Sequence, residues 1–316
     1  MAGTLYQIHQ DGSIWSYGGT PMTSWLQIDN NPKTVAITSD STTGALYQMH
    51  NDGTIWRLDG KPAAAWTMLD NNPQAAAITA GGGKLYELHR DGSLWLYQGT
   101  PVTGWLQIDN NPRTIGILAD GNALYQAHDD GSIWSYGGTP MTSWLQIDDN
   151  PKTRAIAGGH GTLCQLHSDG SIWLYQGTPV TGWLQIDDNP KSVGIMVDQS
   201  SGQIYQLHDD GSIWRYDGTP ITGWTMLDNN PQAAAIAAGG GKLYELHRDG
   251  SIWLYQGTPV TGWLQIDNNP KSVAITVTRF VAKPAVQQDP VNETLREAAI
   301  HILGDILIDA AEAVLV

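Results

Sequence analysis

Short runs of alternating apolar and polar residues recur along most of the chain, and each run ends at glycine, proline, asparagine or aspartate. In one typical stretch, a small apolar run at residues 75–79 precedes LYELH at residues 85–89. An Asp-Gly pair follows, then SLWLY at residues 93–97 and, after a Gly-Thr-Pro loop, WLQID at residues 105–109. Segments of about five residues with period-two patterning predict β-strands, and the turn residues between them predict an antiparallel meander. We label the four predicted strands A, B, C and D in this order.

The meander repeats seven times along the chain. Successive B strands are spaced by 41, 39, 39, 39, 41 and 39 residues, with starts at Leu5, Leu46, Leu85, Leu124, Leu163, Ile204 and Leu243. A fixed period near forty residues with several short strands is typical of propellers and other repeat arrays. The sequence therefore predicts an all-β fold, a seven-bladed β-propeller with four strands in each blade.

The two ends of the array predict how the ring closes. The chain starts with a B strand, Leu5–His9, that has no A strand before it, and Val273–Thr278 after the last D strand is one A strand too many. Pairing these two segments would complete the first blade and remove two exposed sheet edges. We therefore predict a closed propeller over residues 1–280.

The remaining residues have a different pattern. Residues 281–288 are predicted to be a linker, and residues 289–316 a helix that begins at an Asp-Pro cap. His301, Asp305 and Asp309 form a narrow polar stripe, and most other positions from Ala298 onward are apolar. We predict that this helix is an oligomerisation element that joins several copies of the chain into a bundle. Docking on its own propeller and insertion at a membrane surface are the alternatives.

The charge balance excludes one class of partner. The chain has 31 acidic and 16 basic residues, a net charge of −15, which argues against a nucleic-acid partner. It shows neither a long apolar span free of charges nor a basic start followed by an apolar run, so we expect no transmembrane helix and no signal peptide. The expected location is cytoplasmic or non-classically released. The single cysteine, Cys164, excludes an intramolecular disulfide and fits a reducing compartment.

Strand alternation separates the loops into two rims with different chemistry. The B–C and D–A loops share one rim, where His-x-Asp-Gly and Asp-Asn-Asn-Pro recur; we call it the acidic rim. The A–B and C–D loops share the other, with the glycine clusters, the Gly-Thr-Pro loop, and the tyrosine and tryptophan that flank this loop; we call it the Gly-Thr-Pro rim. A His-x-Asp-Gly turn favours a hairpin over a metal site, so we expect no metal and no cofactor.

Aromatic usage points to the Gly-Thr-Pro rim. The chain has 14 Trp and 12 Tyr but one Phe, and Trp and Tyr combine an apolar face with a polar group. Such rings stack on the C–H face of a sugar, although they also serve as wedges between blades. Packing is the favoured interpretation for the tryptophans of strand C, and both interpretations stay open for those of strand D. The candidate carbohydrate-binding residues are Trp25, Trp105, Trp144, Trp183, Trp224, Trp263, Tyr17, Tyr97, Tyr136, Tyr175, Tyr216 and Tyr255.

One motif carries a resemblance to a known family. It comprises Leu243, Tyr244, Asp249, Tyr255, Gly257, Thr258, Pro259, Trp263 and Ile266, and it recurs in the blades over residues 1 to about 280. This pattern resembles the blade of tachylectin-type propeller lectins and, more loosely, tectonin-repeat proteins. The resemblance implies glycan sites between adjacent blades and a multivalent lectin, with N-acetylated amino sugars as ligands. The C–D loop here is shorter than in the tachylectin type, and Asn-Asn-Pro replaces the Gly-Trp pair before strand A.

Other functions are weighed against this one. The chain lacks the Gly-x-Ser-x-Gly, HExxH and P-loop motifs, and near-identical copies do not assemble one catalytic site, so we predict that it is not an enzyme. A protein-interaction scaffold and a membrane-active lectin toxin are the rival classes. Nearly identical rims favour many identical ligands. The second blade has Leu58 in place of the tyrosine and lacks Gly-Thr-Pro, so its site is expected to be weak or absent.

Overall fold

The computed structural model describes residues 4–40, 42–59, 66–277 and 281–282. Within these residues the chain forms seven antiparallel sheets, each with its four strands in spatial order A, B, C and D. Strand A of each blade lies innermost, next to the A strands of neighbouring blades. The fold class is therefore confirmed as an all-β, seven-bladed propeller.

The four strands of each blade, from the centre of the ring outward, are A, B, C and D. Blade 1 comprises Ser272–Thr276, Tyr6–His9, Ile14–Tyr17 and Trp25–Asp29. Blade 2 comprises Thr34–Ser39, Leu46–His50, Ile55–Leu58 and Trp66–Asp70. Blade 3 comprises Ala75–Gly81, Lys84–His89, Leu94–Tyr97 and Trp105–Asp109. Blade 4 comprises Thr114–Asp120, Ala123–His128, Ile133–Tyr136 and Trp144–Asp148.

The last three blades follow the same plan. Blade 5 comprises Thr153–Gly159, Thr162–His167, Ile172–Tyr175 and Trp183–Asp187. Blade 6 comprises Ser192–Val197, Ile204–His208, Ile213–Tyr216 and Trp224–Asp228. Blade 7 comprises Ala233–Gly239, Lys242–His247, Ile252–Tyr255 and Trp263–Asp267.

Ring closure follows the prediction. Ser272–Thr276 pairs antiparallel with Tyr6–His9, with Tyr6 opposite Thr276 and Ile8 opposite Ala274. The Ser272 hydroxyl also donates to Gln7 Oε1 at 2.7 Å, so side chains reinforce the joint between the two ends of the propeller. Blade 1 thereby has its four strands, and the edge of Tyr6–His9 is paired.

The apolar core is divided into seven clusters, and each lies between two adjacent blades. Alanine and glycine are frequent in strand A, where the strands converge at the centre of the ring. At Gly239, for example, an added Cβ would come within 2.2 Å of Val277 Cγ1. The blades are thus held together by packing between sheets, and each blade depends on its two neighbours.

A β-bulge recurs in every D strand. In blade 7, Ile252 pairs with Asp267 and Trp253 pairs with Gln265, so Ile266 is the extra, unpaired residue. The equivalent residues are Ile28, Leu69, Ile108, Ile147, Ile186 and Leu227. A bulge removes its residue from the ladder, which frees the carbonyl for other partners. This carbonyl positions the candidate site.

The rims are arranged as predicted. Gly12 in the B–C turn has a φ of +79°, and an added Cβ would lie 2.3 Å from the carbonyl oxygen of Asn31 in the D–A turn. Only glycine fits this contact, which explains the repeated Asp-Gly pair. The two loop types therefore pack against each other on the acidic rim.

The C-terminal region is described at two residues. Val281–Ala282 forms a short strand that pairs with the inner strand of blade 4, with Ala282 opposite Gly116 and Val281 opposite Ile117. The rest of the predicted linker and the whole predicted helix at 289–316 lie outside the described residues, so oligomerisation stays a prediction. No helix in the described part of the chain has the length and apolar character to cross a membrane.

Candidate functional site

The tryptophans that open strand D lie at the blade junctions. Each is half-buried, and its indole Nε1–H donates to the bulged carbonyl of the preceding blade. The distances are 2.9 Å from Trp25 to Ile266, 3.0 Å from Trp105 to Leu69, 3.1 Å from Trp144 to Ile108, and 2.9 Å from Trp183 to Ile147, Trp224 to Ile186 and Trp263 to Leu227. The six predicted tryptophans therefore tie blades together, and only part of each ring face stays accessible.

The same bulged carbonyl accepts a second hydrogen bond from the Gly-Thr-Pro loop. The donor is the backbone N–H of the residue after proline: Val102 N lies 2.7 Å from Leu69 O, and Val260 N lies 2.7 Å from Leu227 O. In the six blades whose loop is described, this residue has a positive φ: Met22 63°, Val102 67°, Met141 66°, Val180 62°, Ile221 67° and Val260 65°. Residues other than glycine rarely adopt this conformation, and the β-branched valine and isoleucine adopt it least. The loop is therefore clamped onto the neighbouring blade in a strained shape.

These strained residues are also exposed. Their accessible fractions run from 37% for Val102 to 44% for Met22. A leucine in strand D adds a second exposed apolar side chain in five blades: Leu26, Leu106, Leu145, Leu184 and Leu264. Sequence reasoning missed both sets because neither exposure nor the sign of φ can be inferred from alternation alone.

The predicted tyrosines pair with the predicted tryptophans. The ring centroids of each Tyr–Trp pair lie 4.9–5.2 Å apart with tilted planes. Tyr216 is buried and the other five tyrosines are half-buried. Burial raises the pKa of each of these hydroxyls, so they are neutral donors at physiological pH. The structure thus brings all twelve predicted residues together in six pairs.

Each pair faces a row of residues from the preceding blade. At the junction of blades 3 and 4, the register places Tyr86, Leu96 and Leu106 side by side in blade 3. Tyr136 and Trp144 of blade 4 pack against this row. We call the end of each such junction on the Gly-Thr-Pro rim, between adjacent blades, a crevice.

The strand C residue of this row divides the crevices into three kinds. Leucine occupies it in blades 3, 5 and 7 (Leu96, Leu174 and Leu254), and serine in blades 1 and 4 (Ser16 and Ser135). Arginine occupies it in blades 2 and 6, where Arg57 Nε donates to Asp59 Oδ1 at 2.8 Å and Arg215 Nε donates to Asp217 Oδ1 at 2.9 Å. The crevices therefore share an aromatic wall, except at the junction of blades 1 and 2 where Leu58 replaces the tyrosine, and they differ in the opposite wall.

Blade 6 has an open depression of about 460 Å³ on the same rim. Its lining comes from the A–B loop, Ser201 to Ile204, and from the end of strand C, Arg215 to Gly218. Gln203 Nε2 donates to the carbonyl of Tyr216 at 2.6 Å and so joins the two walls. This volume lies in the range of small-molecule sites.

The acidic rim is organised by a second aromatic set. Each strand C tryptophan packs against the histidine of strand B, as Trp15 does against His9 with centroids 5.5 Å apart. Its indole N–H donates to the turn hydroxyl, as Trp15 Nε1 does to Ser13 Oγ at 3.0 Å. The Ser13 hydroxyl in turn donates to Asp11 and lowers the pKa of that carboxyl to about 2. These aromatic residues stabilise the turn.

The histidines of this rim are buried in the blade junctions. In five blades the Nε2 atom is buried without a partner in the described residues (His9, His50, His128, His167 and His208), and burial lowers the pKa of each ring. In blades 3 and 7, Nε2 contacts a buried carboxylate, Glu87 or Glu245. No group of three or more His, Cys, Asp or Glu side chains with metal-binding geometry occurs in the part of the chain that the structure describes.

Comparisons with known proteins support the fold and leave the family open. No protein-family model matches the sequence, and no curated protein matches it. Apo AztD from Citrobacter koseri has a similar structure, with a TM-score of 0.62 at 11% identity over 90% of this chain and 99% of that chain. Yeast RCC1 (Prp20) bound to Kap60 gives 0.57 at 10% identity over 85% and 84%. YCF48 bound to D1 peptide gives 0.54 at 15% identity over 73% and 82%. At these identities the likeness shows the propeller fold alone.

Proposed function

We propose that this protein is a multivalent carbohydrate-binding lectin of the tachylectin type, with glycan sites in the crevices between blades on the Gly-Thr-Pro rim. One observation carries the proposal: six exposed apolar side chains are held at positive φ beside the Tyr–Trp pairs. A left-handed conformation costs a non-glycine residue on the order of 1–3 kcal/mol, and such strain clusters at binding surfaces. The methyl group of an N-acetylated amino sugar or the C–H face of a sugar would cover these side chains.

The chemistry of each crevice fits this ligand class. The indole N–H is already bonded to the bulged carbonyl, so a tryptophan contributes its accessible ring face. The exposed threonines of the loop, such as Thr100 and Thr103, supply hydroxyl groups at its edge. Apolar stacking combined with a few polar groups is typical of sites that bind small polar molecules.

Repetition determines the strength of binding. A shallow site of this kind binds with a dissociation constant on the order of 0.1–1 mM, and linked sites raise the avidity roughly 10²–10⁴-fold. Oligomerisation through the predicted helix at 289–316 would multiply the sites further. The proposed ligand is therefore a surface or polymer that displays many copies of the same sugar.

A glycan array tests this function. The triple variant Val102→Asp, Val180→Asp and Val260→Asp places a hydrated carboxylate in three crevices. Aspartate tolerates positive φ better than valine, so the propeller is expected to stay folded. We expect the wild type to bind arrayed glycans that end in N-acetylated amino sugars, and the variant to lose most of this signal.

The acidic rim provides a control with the same change of charge. Asn30→Asp, Asn110→Asp and Asn268→Asp also add three carboxylates, at exposed positions where blades 4 and 5 already have Asp149 and Asp188. This control is expected to bind like the wild type. If both triple variants lose binding, or if both bind like the wild type, the site does not lie at these valines. If the wild type binds no arrayed glycan, the lectin assignment is wrong.

A protein-interaction scaffold is the second candidate. The exposed leucines of strand D, such as Leu145 at 56% and Leu26 at 48%, form part of an apolar surface that a protein partner would also cover. The same array decides between the two functions, because a scaffold would show no sugar-dependent binding.

A further inference from the structure

The two blades with an arginine in strand C also differ in a second feature. Their A–B loops are longer: residues 198–203 connect strands A and B in blade 6, against residues 82–83 in blade 3. In blade 6 this longer loop and the arginine line the same depression. Two departures from the repeat therefore meet at one place on the Gly-Thr-Pro rim.

The loop wall of the depression is fixed by a buried carboxylate. Asp198 is fully buried, and its Oδ1 accepts hydrogen bonds from Ser200 N at 2.7 Å and Ser200 Oγ at 2.6 Å. Its Oδ2 accepts the backbone N–H of Gly241 in the next blade at 2.9 Å. The loop is thereby held in one conformation, which reduces the ordering that a ligand must impose.

The opposite wall carries a positioned guanidinium group. Arg215 Nε donates to Asp217 Oδ1 at 2.9 Å, and the hydroxyl of Thr225 donates to Asp217 Oδ2. Both carboxylate oxygens are therefore occupied, whereas the terminal Nη atoms of Arg215 have no acceptor among the described residues. The group is half-exposed and carries several free donors in a planar fork.

A second, neutral donor that the described residues leave without a partner belongs to blade 7, across the junction from this arginine. The hydroxyl oxygen of Tyr255 is buried and has no partner among the described residues. Burial raises the pKa of Tyr255, and Arg215 is near enough to oppose that shift. The Tyr255 hydroxyl and the Nη atoms of Arg215 are therefore donors that have no partner among the described residues.

We propose that this depression on blade 6 is a subsite for a saccharide that carries a carboxylate, such as a uronic acid residue; this inference rests on the lectin function proposed above. A carboxylate accepts two parallel hydrogen bonds from a guanidinium, which a neutral hydroxyl cannot do. The volume of about 460 Å³ accommodates one sugar residue. Gln203 and Ser201 face its ring hydroxyls from the loop wall.

The acidic turns of the blades lie away from this depression. The turn aspartates that recur in all seven blades lie on the acidic rim, at the opposite end of the strands: Asp11, Asp52, Asp91, Asp130, Asp169, Asp210 and Asp249. Interactions between exposed charges are screened within roughly 8 Å at physiological ionic strength. Two carboxylates lie closer to Arg215: Asp217, whose oxygens are occupied by Arg215 Nε and the Thr225 hydroxyl, and Asp198, which is buried in the loop wall. A ligand carboxylate therefore has to bind at the Nη atoms of the guanidinium, which Asp217 leaves free.

Blade 2 serves as a natural control. It repeats the triad as Arg57, Asp59 and Thr67, with Arg57 Nε 2.8 Å from Asp59 Oδ1. It has Ala45 in place of Gln203, so it lacks the side-chain amide that joins the two walls in blade 6. It also has Leu58 in place of Tyr216. Arg57 is therefore expected to contribute much less to selectivity.

The test is a calorimetric titration of the full-length chain with methyl β-D-glucuronide and methyl β-D-glucoside, which differ only in the oxidation of C6. We expect the glucuronide to bind about tenfold or more tightly than the glucoside, as a charge-assisted hydrogen bond allows. Arg215→Ala should reduce this preference to less than about twofold, and Arg215→Lys should retain part of it, since an ammonium group binds as a point charge. Arg57→Ala should lower the preference much less than Arg215→Ala does.

Other outcomes identify which proposal fails. If glycans bind the array but Arg215→Ala leaves the glucuronide preference intact, the subsite is wrong and the lectin function stands. Equal binding of acetate and glucuronide would show a carboxylate site without sugar recognition and would also overturn the subsite. If Arg215→Ala unfolds the chain, the Arg215→Ala, Asp217→Asn double variant is tested in its place, because it removes the ion pair without leaving an unpaired carboxylate. An unchanged preference for the glucuronide in this double variant would also overturn the subsite.

Discussion

At the scale of the residue, the repeats contain two alternative buried networks on the acidic rim. In blade 2 the hydroxyl of Thr34 donates to Gln48 Oε1 at 2.9 Å. In blade 3 the equivalent residues are Ala75 and Glu87, and the glutamate contacts His89 instead. Blade 7 repeats this arrangement with Ala233 and Glu245. The hydroxyl and the amide therefore occur together, as do the alanine and the carboxylate, because a buried glutamine needs a donor for its oxygen.

The difference between these two networks predicts that the free energy of unfolding depends on pH. Burial raises the pKa of Glu87 and Glu245 above the ordinary value of 4.5, and Asp70 or Asp228 nearby raises it further. The folded state therefore binds these two protons more tightly than the unfolded state does. Protonated Glu87 and Glu245 stabilise the fold at low pH, and this stabilisation is lost as the pH rises above 4.5 and passes the pKa of the folded state.

We therefore expect the fourfold variant Ala75→Thr, Glu87→Gln, Ala233→Thr and Glu245→Gln to be more stable than the wild type at pH 7, by about 1–3 kcal/mol. This advantage should shrink as the pH falls towards 5. Urea unfolding of both proteins across this range measures the difference. A difference in unfolding free energy that does not vary with pH would contradict this interpretation of the two networks.

At the scale of the element, the bulge of strand D joins the blades. Its carbonyl accepts both the indole N–H and the loop N–H of the following blade, as Leu69 O does from Trp105 at 3.0 Å and from Val102 at 2.7 Å. Alternation in the sequence located strand D and its tryptophan correctly. It could not reveal the bulge, because a single unpaired residue in WLQID changes the register without changing the pattern of apolar residues.

Removal of the indole N–H tests this joint. Trp105→Phe leaves the Leu69 carbonyl with one donor in a junction that is largely buried, and it should lower the free energy of unfolding by about 1–3 kcal/mol beyond the loss of ring volume. Trp95→Phe is the matched control, since its indole bonds to the turn hydroxyl of Ser93 at 3.1 Å within the same blade. Equal destabilisation by both substitutions, measured by urea unfolding, would show that the bulged carbonyl has no special role.

At the scale of the whole molecule, the repeat period and the unmatched strands at the two ends were sufficient to predict the ring. Seven copies require seven blades, and the pairing of Ser272–Thr276 with Tyr6–His9 follows from strand counting. The candidate site was predictable only in part. The Tyr–Trp pairs could be predicted because the tyrosine ends strand C and the tryptophan begins the neighbouring strand D. The crevices could not, because they depend on which face of one blade packs against the next blade in the ring.

Truncation tests the closure of the ring. A chain that ends after Lys271 lacks the inner strand of blade 1, which exposes the backbone groups of Tyr6–His9 to solvent and to other chains. It should aggregate or unfold with reduced cooperativity, whereas a chain that ends after Lys283 should form a soluble ring. This longer truncated chain should also run as a monomer in light scattering, if residues 289–316 oligomerise the full-length chain. Equal melting curves for the two truncated chains would mean that the ring does not depend on this strand.

The central claim is that sugars occupy the crevices on the Gly-Thr-Pro rim, and a crystal soaked with N-acetylglucosamine tests it most directly. We predict sugar density beside the Tyr–Trp pairs, in contact with the exposed residues at positive φ such as Val102, Val180 and Val260. Density should be weakest at the junction of blades 1 and 2, where Leu58 replaces the tyrosine. The weakest dissociation constant expected for a single site is about 1 mM. Empty crevices at sugar concentrations well above this value would contradict the claim, and so would density confined to the acidic rim.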